Sequence, residues 1–197
     1  MAEPGIAAQG TSLIWGHVAL VACTVLYLAW WLAFFNPRLP KAAGALYAVG
    51  VACIVGAAML GIAGVVLAVR GVGGLVLAMT RGVPIWAIAA GGIVAYVVLV
   101  LVTTRFFHRP VTTELVLFTG WLVLELCVVD SLFGAGAFGG AEAALLALMA
   151  VAVTAGCLAC YVLYFNLAPF PSFVAGAAPL AAAGLASGVL AAAVAFA

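Results

Sequence analysis

Long apolar runs separated by short connections organise this chain. An α-helix needs about 20 predominantly apolar residues to cross the hydrocarbon core of a bilayer. Six runs reach this length, and they cover 13–35, 42–69, 85–104, 111–134, 143–168 and 173–196. The pattern therefore predicts an all-α polytopic membrane protein with six transmembrane helices, in which residues 1–197 form a single integral membrane domain.

The connections between these runs contain residues that end helices. Asn36 to Lys41 and Arg105 to Pro110 combine proline with cations, which ends a helix and places charge at a headgroup interface. Gly134 to Gly140 separates the fourth and fifth runs, and Pro169 to Ser172 is an uncharged break between the fifth and sixth. We expect tight connections at all four places.

One segment does not fit the count of six spans. Ten uncharged residues, Gly71 to Thr80, lie between Arg70 and Arg81. As a helix they would reach only about 15 Å, half the thickness of the hydrocarbon core. The sequence therefore predicts a short apolar segment between helices 2 and 3 that either lies at the interface or re-enters the membrane toward a substrate cavity.

Composition sets the class of protein and its surroundings. The chain is 70% hydrophobic and 6% charged, whereas soluble domains carry about 25% charged residues. A net charge of +1 lacks the footprint of a nucleic-acid binder. The first twelve residues contain no Lys or Arg, so they do not form the basic region of a signal peptide. The lipid bilayer is the expected surrounding, in a cell inner membrane, and nucleic acid is not an expected partner.

Lys and Arg also indicate an orientation. Four of them lie in the connections after spans one and three, whereas Arg70 and Arg81 follow span two. Because cytoplasmic connections carry the excess of cations, this distribution places both termini on the non-cytoplasmic side. Small residues predict helix packing as well: Gly184 and Gly188 form a GxxxG pair, which we expect to serve packing inside the protein.

The fourth span contains the most informative residue, Glu125. An ionised group at the bilayer centre costs at least about 2.5–3.5 kcal/mol, so such residues mark a pathway, a proton site or a ligand. Glu114, Phe118, Trp121 and Glu125 share one stripe of the predicted helix. Glu114 has an ordinary explanation, because a carboxylate in a first turn complements the helix dipole. Glu125 has no such explanation.

Two interpretations of Glu125 remain open. It is either a protonated tether that bonds a neighbouring helix, or a binding group for a cation, a proton or a polar ligand, with Trp121, Tyr96 and Tyr27 as lining. Every Lys and Arg lies in a connection or at a span end, so we expect Glu125 to be neutral and hydrogen-bonded.

A second polar pair is expected near the outer end of the bundle. His17 in the first span and Asp130 in the fourth lie at similar predicted depths. Such a pair would respond to pH, because the ordinary pKa of histidine is about 6.5. The alternative is two interfacial groups that are hydrated independently.

Several kinds of chemistry find little support in the sequence. His17 and His108 fall at opposite membrane faces, so they cannot share a heme. Cys157 and Cys160 form a CxxC within an apolar helix, where packing is the simpler role. No metalloprotease, hydrolase or nucleotide-binding motif is present. We expect no metal or cofactor, and an enzyme is the less favoured class.

Together these patterns predict a small integral membrane protein that binds or transports a small solute or ion at a polar site centred on Glu125. The alternative is a non-catalytic subunit that packs into a larger membrane complex. Its Gly and Ala faces would then contact partner subunits or a second copy of the chain.

Overall fold

The computed structural model describes residues 4–76, 81–107 and 112–196. Its secondary structure is six α-helices, each long and apolar enough to cross a membrane. The helices are α1 Pro4–Phe35, α2 Gly44–Val76, α3 Ile85–Phe107, α4 Thr112–Gly134, α5 Gly140–Tyr164 and α6 Pro169–Phe196. The prediction of an all-α, multi-pass membrane protein is confirmed.

Prolines mark helix starts here. α1 begins at Pro4, nine residues before the predicted start of the first span, and α6 begins at Pro169, inside the predicted break. The first N–H groups of a helix have no partner within it, so a first-turn proline loses no hydrogen bond. The break instead falls at the end of α5, where the amide of Asn166 donates to the carbonyl of Leu163 at 2.9 Å.

The apolar segment after Arg70 is not a separate element over the part that the structure describes. Gly71 to Val76 are the last turns of α2, and residues 77–80 lie outside the described residues. The helix continues because these turns have something to pack on: Val72 and Leu75 are buried in a cluster with Leu13 of α1. Sequence spacing alone could not show that the first helix also extends far enough to cover them.

Five helices form a ring, and α3 lies outside it. α1 packs on α2 and α6, α6 on α5, α5 on α4, and α4 on α2. α3 packs on α4 from outside, where Gly92 faces Val123. The interior of the ring is therefore bounded by α1, α2, α4, α5 and α6.

Glycines set the closest contacts of α1. A methyl group on Gly64 of α2 would lie 2.9 Å from the carbonyl oxygen of Gly16, and one on Gly71 would lie 2.6 Å from the side chain of Leu13. In α6, Gly184 faces Thr24 and Gly188 faces Val21. The expected interior packing of the Gly184–Gly188 pair is confirmed: both glycines face α1.

Candidate functional site

Glu125 points into the ring from α4. Its side chain is 0% exposed, as is that of Val128 one turn further on. Glu125 lies nine residues before Gly134, which at 1.5 Å per residue is about 13 Å from that end of the helix. The stripe that carries Glu125 faces α1 and α6 across the ring.

The partner of Glu125 is His17 of α1. Nε2 of His17 lies 2.9 Å from Oε2 of Glu125, and the histidine side chain is also 0% exposed. The other ring nitrogen, Nδ1, lies 2.7 Å from the carbonyl oxygen of Leu13, one turn earlier in the same helix. Both nitrogens of the imidazole are therefore engaged.

These contacts fix where the hydrogens can be. A carbonyl only accepts, so Nδ1 of His17 carries a hydrogen and donates it to Leu13. If the imidazole is neutral, Nε2 accepts and Glu125 donates as a carboxylic acid; if it is an imidazolium, Nε2 donates to a carboxylate. In both cases one proton lies between the two atoms and the pair has no net charge. Two titratable groups are thus accommodated in an apolar interior without an unpaired charge.

The second carboxyl oxygen extends the network to α6. The hydroxyl of Ser187 donates to Oε1 of Glu125 at 3.4 Å, and Nε1–H of Trp121 donates to Oγ of Ser187 at 3.2 Å. Ser187 is buried, whereas Trp121 is half-buried. A continuous chain of hydrogen bonds therefore runs from the backbone of Leu13, through the buried pair, to the partly accessible ring of Trp121.

The expected pair of His17 and Asp130 does not form. The carboxylate of Asp130 accepts from the amide of Val83, with both oxygens at 3.0 Å. Asp130 lies five residues beyond Glu125, about 7.5 Å along α4 and on another side of it. The error came from the start of the first helix: because α1 begins at Pro4, His17 lies thirteen residues inside it and not near its end.

Glu125 is hydrogen-bonded, as expected, and the structure also identifies its partner. Because every Lys and Arg lies in a connection or at a predicted span end, the sequence predicts no charged partner. The structure supplies a titratable one, His17, together with the hydroxyl of Ser187. Ser187 carries no signal in the sequence beyond its position inside the sixth predicted span.

The other predicted site residues are distributed unevenly. Trp121 joins the network through Ser187. Tyr27 lies ten residues beyond His17 on α1, about 15 Å along the axis, where its ring packs 5.2 Å from that of Trp30. Tyr96 is half-buried on α3, outside the five-helix ring. The structure therefore brings Glu125, Trp121 and His17 together and leaves both tyrosines elsewhere. The side chain of Glu114 lies outside the described residues.

Glu125 does not line the groove that the structure forms at the other side of α4. A groove of about 370 Å³ lies between α3, α4 and α5, and Asp130, not Glu125, contributes to its wall. The His17–Glu125 pair is closed by its neighbours. Among the described residues, no group of three or more His, Cys, Asp or Glu side chains is placed to hold a metal ion.

Comparison with known proteins adds no relationship. No protein-family model, curated protein or solved structure matches this chain at a significant level.

Proposed function

We propose that the protein moves a small solute or ion across the membrane, and that His17 and Glu125 bind the transported or coupling ion, a proton. The observation that carries the proposal is the 2.9 Å contact between two titratable side chains that are both fully buried in a membrane protein. Ionisable groups inside membrane segments are costly and typically belong to proton relays or ion pathways.

A proton suits the pair better than a larger ligand does. The two groups share one proton at rest, so gaining a second gives the pair a net charge of +1 and losing it gives −1. Either change leaves an unpaired charge in an apolar interior, which favours a rearrangement of the helices that hold it. A transport cycle needs a coupling of this kind between protonation and conformation.

The hydrogen-bond chain supports a route for the proton. Trp121 is one turn from Glu125, toward the Thr112 end of α4, and its ring is partly exposed. Ser187 links the two with its hydroxyl. We infer that protons reach Glu125 from the Thr112 side through the hydroxyl of Ser187, which can both accept and donate, whereas the indole N–H of Trp121 only donates and orients that hydroxyl.

The energy source follows from what the chain contains. Its sequence has no nucleotide-binding motif. Transport is therefore passive, coupled to the proton, or driven by a partner subunit. We place the protein in a cell inner membrane, with both termini on the non-cytoplasmic side because of the distribution of Lys and Arg.

Proton movement in liposomes tests the proposal. Purified protein is reconstituted in vesicles that contain a pH-sensitive dye, and a potassium diffusion potential drives proton entry. We expect the native chain to acidify the lumen and Glu125→Gln to lose at least about tenfold in rate, because the amide cannot take up a proton. Glu142→Gln is the matched control, since Glu142 is exposed and caps α5 by accepting from the amide of Gly139. A folded Glu125→Gln protein with the native rate would refute the role of the pair.

A second candidate function rests on α3. This helix packs mainly on α4, and its other faces are exposed: Trp86 is 74% and Leu101 63% accessible. The protein would then be a non-catalytic subunit of a larger membrane complex, or would form a homo-oligomer through α3. Native mass spectrometry after gentle extraction distinguishes the two functions: stoichiometric protein partners support the subunit, whereas an isolated chain that conducts protons supports transport.

A further inference from the structure

The groove between α3, α4 and α5 is separate from the buried pair. Leu126, Asp130 and Phe133 form its wall on α4, and Gly140 and Ala147 belong to its wall on α5. The small side chains of α5 keep the space open. Phe133 lies seven positions after Leu126, so the groove extends about 10 Å along the helix from the end of α4. Its volume of about 370 Å³ falls in the range of small-molecule sites, roughly 300–1,000 Å³.

The mouth of the groove carries both signs of charge. Asp130 lies in the wall and is only half-buried. Arg81 is exposed; its guanidinium carbon lies 4.5 Å from the centre of the Phe133 ring, and its Nε–H donates to the carbonyl of Phe133 at 3.1 Å. The connection before α3 thus holds a cation beside the same aromatic ring that walls the groove.

We propose that this groove binds one phospholipid with a primary ammonium headgroup, of the phosphatidylethanolamine type. Such a lipid complements each part of the surface: an acyl chain fills the apolar groove, the phosphodiester pairs with Arg81, and the ammonium donates to Asp130. Arginine suits phosphate oxygens because its N–H groups are arranged in a planar fork.

The position of the groove fits a lipid. Phe133 and Gly140 lie at the ends of membrane-spanning helices and Val83 lies in the connection before α3, where headgroups meet the protein, whereas Leu126 and Ala147 lie two turns deeper. The carboxylate of Asp130 accepts from the amide of Val83 with both oxygens and, having about four lone-pair sites, can accept further hydrogen bonds. A bound ammonium would therefore add to the Val83 contact without displacing it.

Lipid competition tests this site. The protein is placed in nanodiscs that contain equal amounts of phosphatidylethanolamine, phosphatidylcholine and phosphatidylglycerol with identical chains, and bound lipid is counted by native mass spectrometry. We expect one retained lipid, with ethanolamine favoured about threefold over choline, because a quaternary ammonium cannot donate a hydrogen bond and an exposed ion pair is worth up to about 1 kcal/mol.

Variants separate the headgroup from the chain. Asp130→Asn keeps an acceptor for the amide of Val83 but loses the ion pair with the ammonium, so it should lower the preference for ethanolamine over choline. Ala144→Phe fills the groove from the exposed side of α5 and should remove the retained lipid of every class. Glu142→Gln changes a carboxylate outside the groove wall and should alter neither result. Equal retention of ethanolamine and choline by the native chain, a preference for phosphatidylglycerol over ethanolamine, or a full lipid count in Ala144→Phe would each overturn the proposal.

Discussion

The contact of α1 with α2 and its contact with α4 are built from different groups. On α2, Gly64 and Ala68 meet Gly16 so closely that a methyl group on Gly16 would lie 2.9 Å from the backbone nitrogen of Ala68. Toward α4, the helix presents His17, which reaches Glu125 across the ring. One interface depends on the absence of side chains, and the other on two titratable side chains.

Because of this difference, the two interfaces should respond differently to protonation. Close packing between small residues is how helices associate in lipid, and it does not change when a proton is added or removed. The His17–Glu125 contact, by contrast, would change its charge and its hydrogen bonds if the pair gained or lost a proton. We therefore propose that α1 and α2 form a fixed pair, and that the contact between α1 and α4 across the ring responds to protonation.

The largest expected effect comes from removing one of the two titratable side chains that join α1 to α4. In His17→Leu, Glu125 stays buried without its titratable partner, and the free energy of unfolding should fall by about 3–5 kcal/mol. Denaturant titration of purified protein in detergent measures the change.

A double-mutant cycle provides the control for that experiment. In His17→Leu with Glu125→Leu neither titratable group remains in the interior, so much of the lost stability should return. Purely additive losses in the two single variants would show that the contact does not couple the two helices.

The next largest effect concerns the closely packed interface between α1 and α2. In Gly64→Ala, the added methyl group would lie 2.9 Å from the carbonyl oxygen of Gly16, which cannot move without displacing α1. We expect the free energy of unfolding to fall by about 1–3 kcal/mol, the usual cost of overpacking. Titration under the same detergent conditions measures it.

Gly73→Ala in the same helix is the matched control. A methyl group there has no neighbour within 4 Å, and alanine favours a helix over glycine by up to about 1 kcal/mol. The two substitutions should therefore have opposite signs. A loss of equal size at both positions would mean that α2 is sensitive to its own sequence and not to its contact with α1.

The sequence was sufficient to predict the number and class of the helices, because a stretch of about 20 apolar residues has few other solutions in lipid. Helix ends were harder. Two helices begin at Pro4 and Pro169, whereas hydropathy predicts that they begin nine and four residues later. Hydropathy measures composition, whereas a helix continues for as long as its turns find neighbours, as Leu75 does at the end of α2.

The sequence predicts the part of the site that lies on α4, but not its partner on α1. Depth alone singled out Glu125, and the helical spacing of Trp121 placed it on the same stripe. The partner could not be found in this way, since the depth of His17 depends on where α1 begins and its direction depends on which helices adjoin α1. Tyr27 and Tyr96 show the opposite error: a suitable depth does not make a residue face the interior of the ring.

The smallest expected effect concerns the hydrogen bond between Glu125 and Ser187 of α6. Ser187→Ala removes the hydroxyl that connects Trp121 to Glu125. Hydrogen bonds between membrane helices are worth about 0.6 kcal/mol on average and at most about 1.7 kcal/mol, so the free energy of unfolding should fall within that range. Thr103→Val is the control, since the hydroxyl of Thr103 donates to Leu99 and Val100 of its own helix.

Ser187→Ala made in two backgrounds, the native chain and Glu125→Leu, shows which residue the hydroxyl serves. If Ser187 serves Glu125, its loss should cost less when Glu125 is already leucine, because the acceptor is gone. If the cost is the same in both backgrounds, Ser187 serves only Trp121, and the chain of hydrogen bonds ends at the buried pair. The same comparison in the liposome assay separates stability from conduction: a connecting hydroxyl predicts slower proton entry in Ser187→Ala than in Thr103→Val at equal amounts of folded protein.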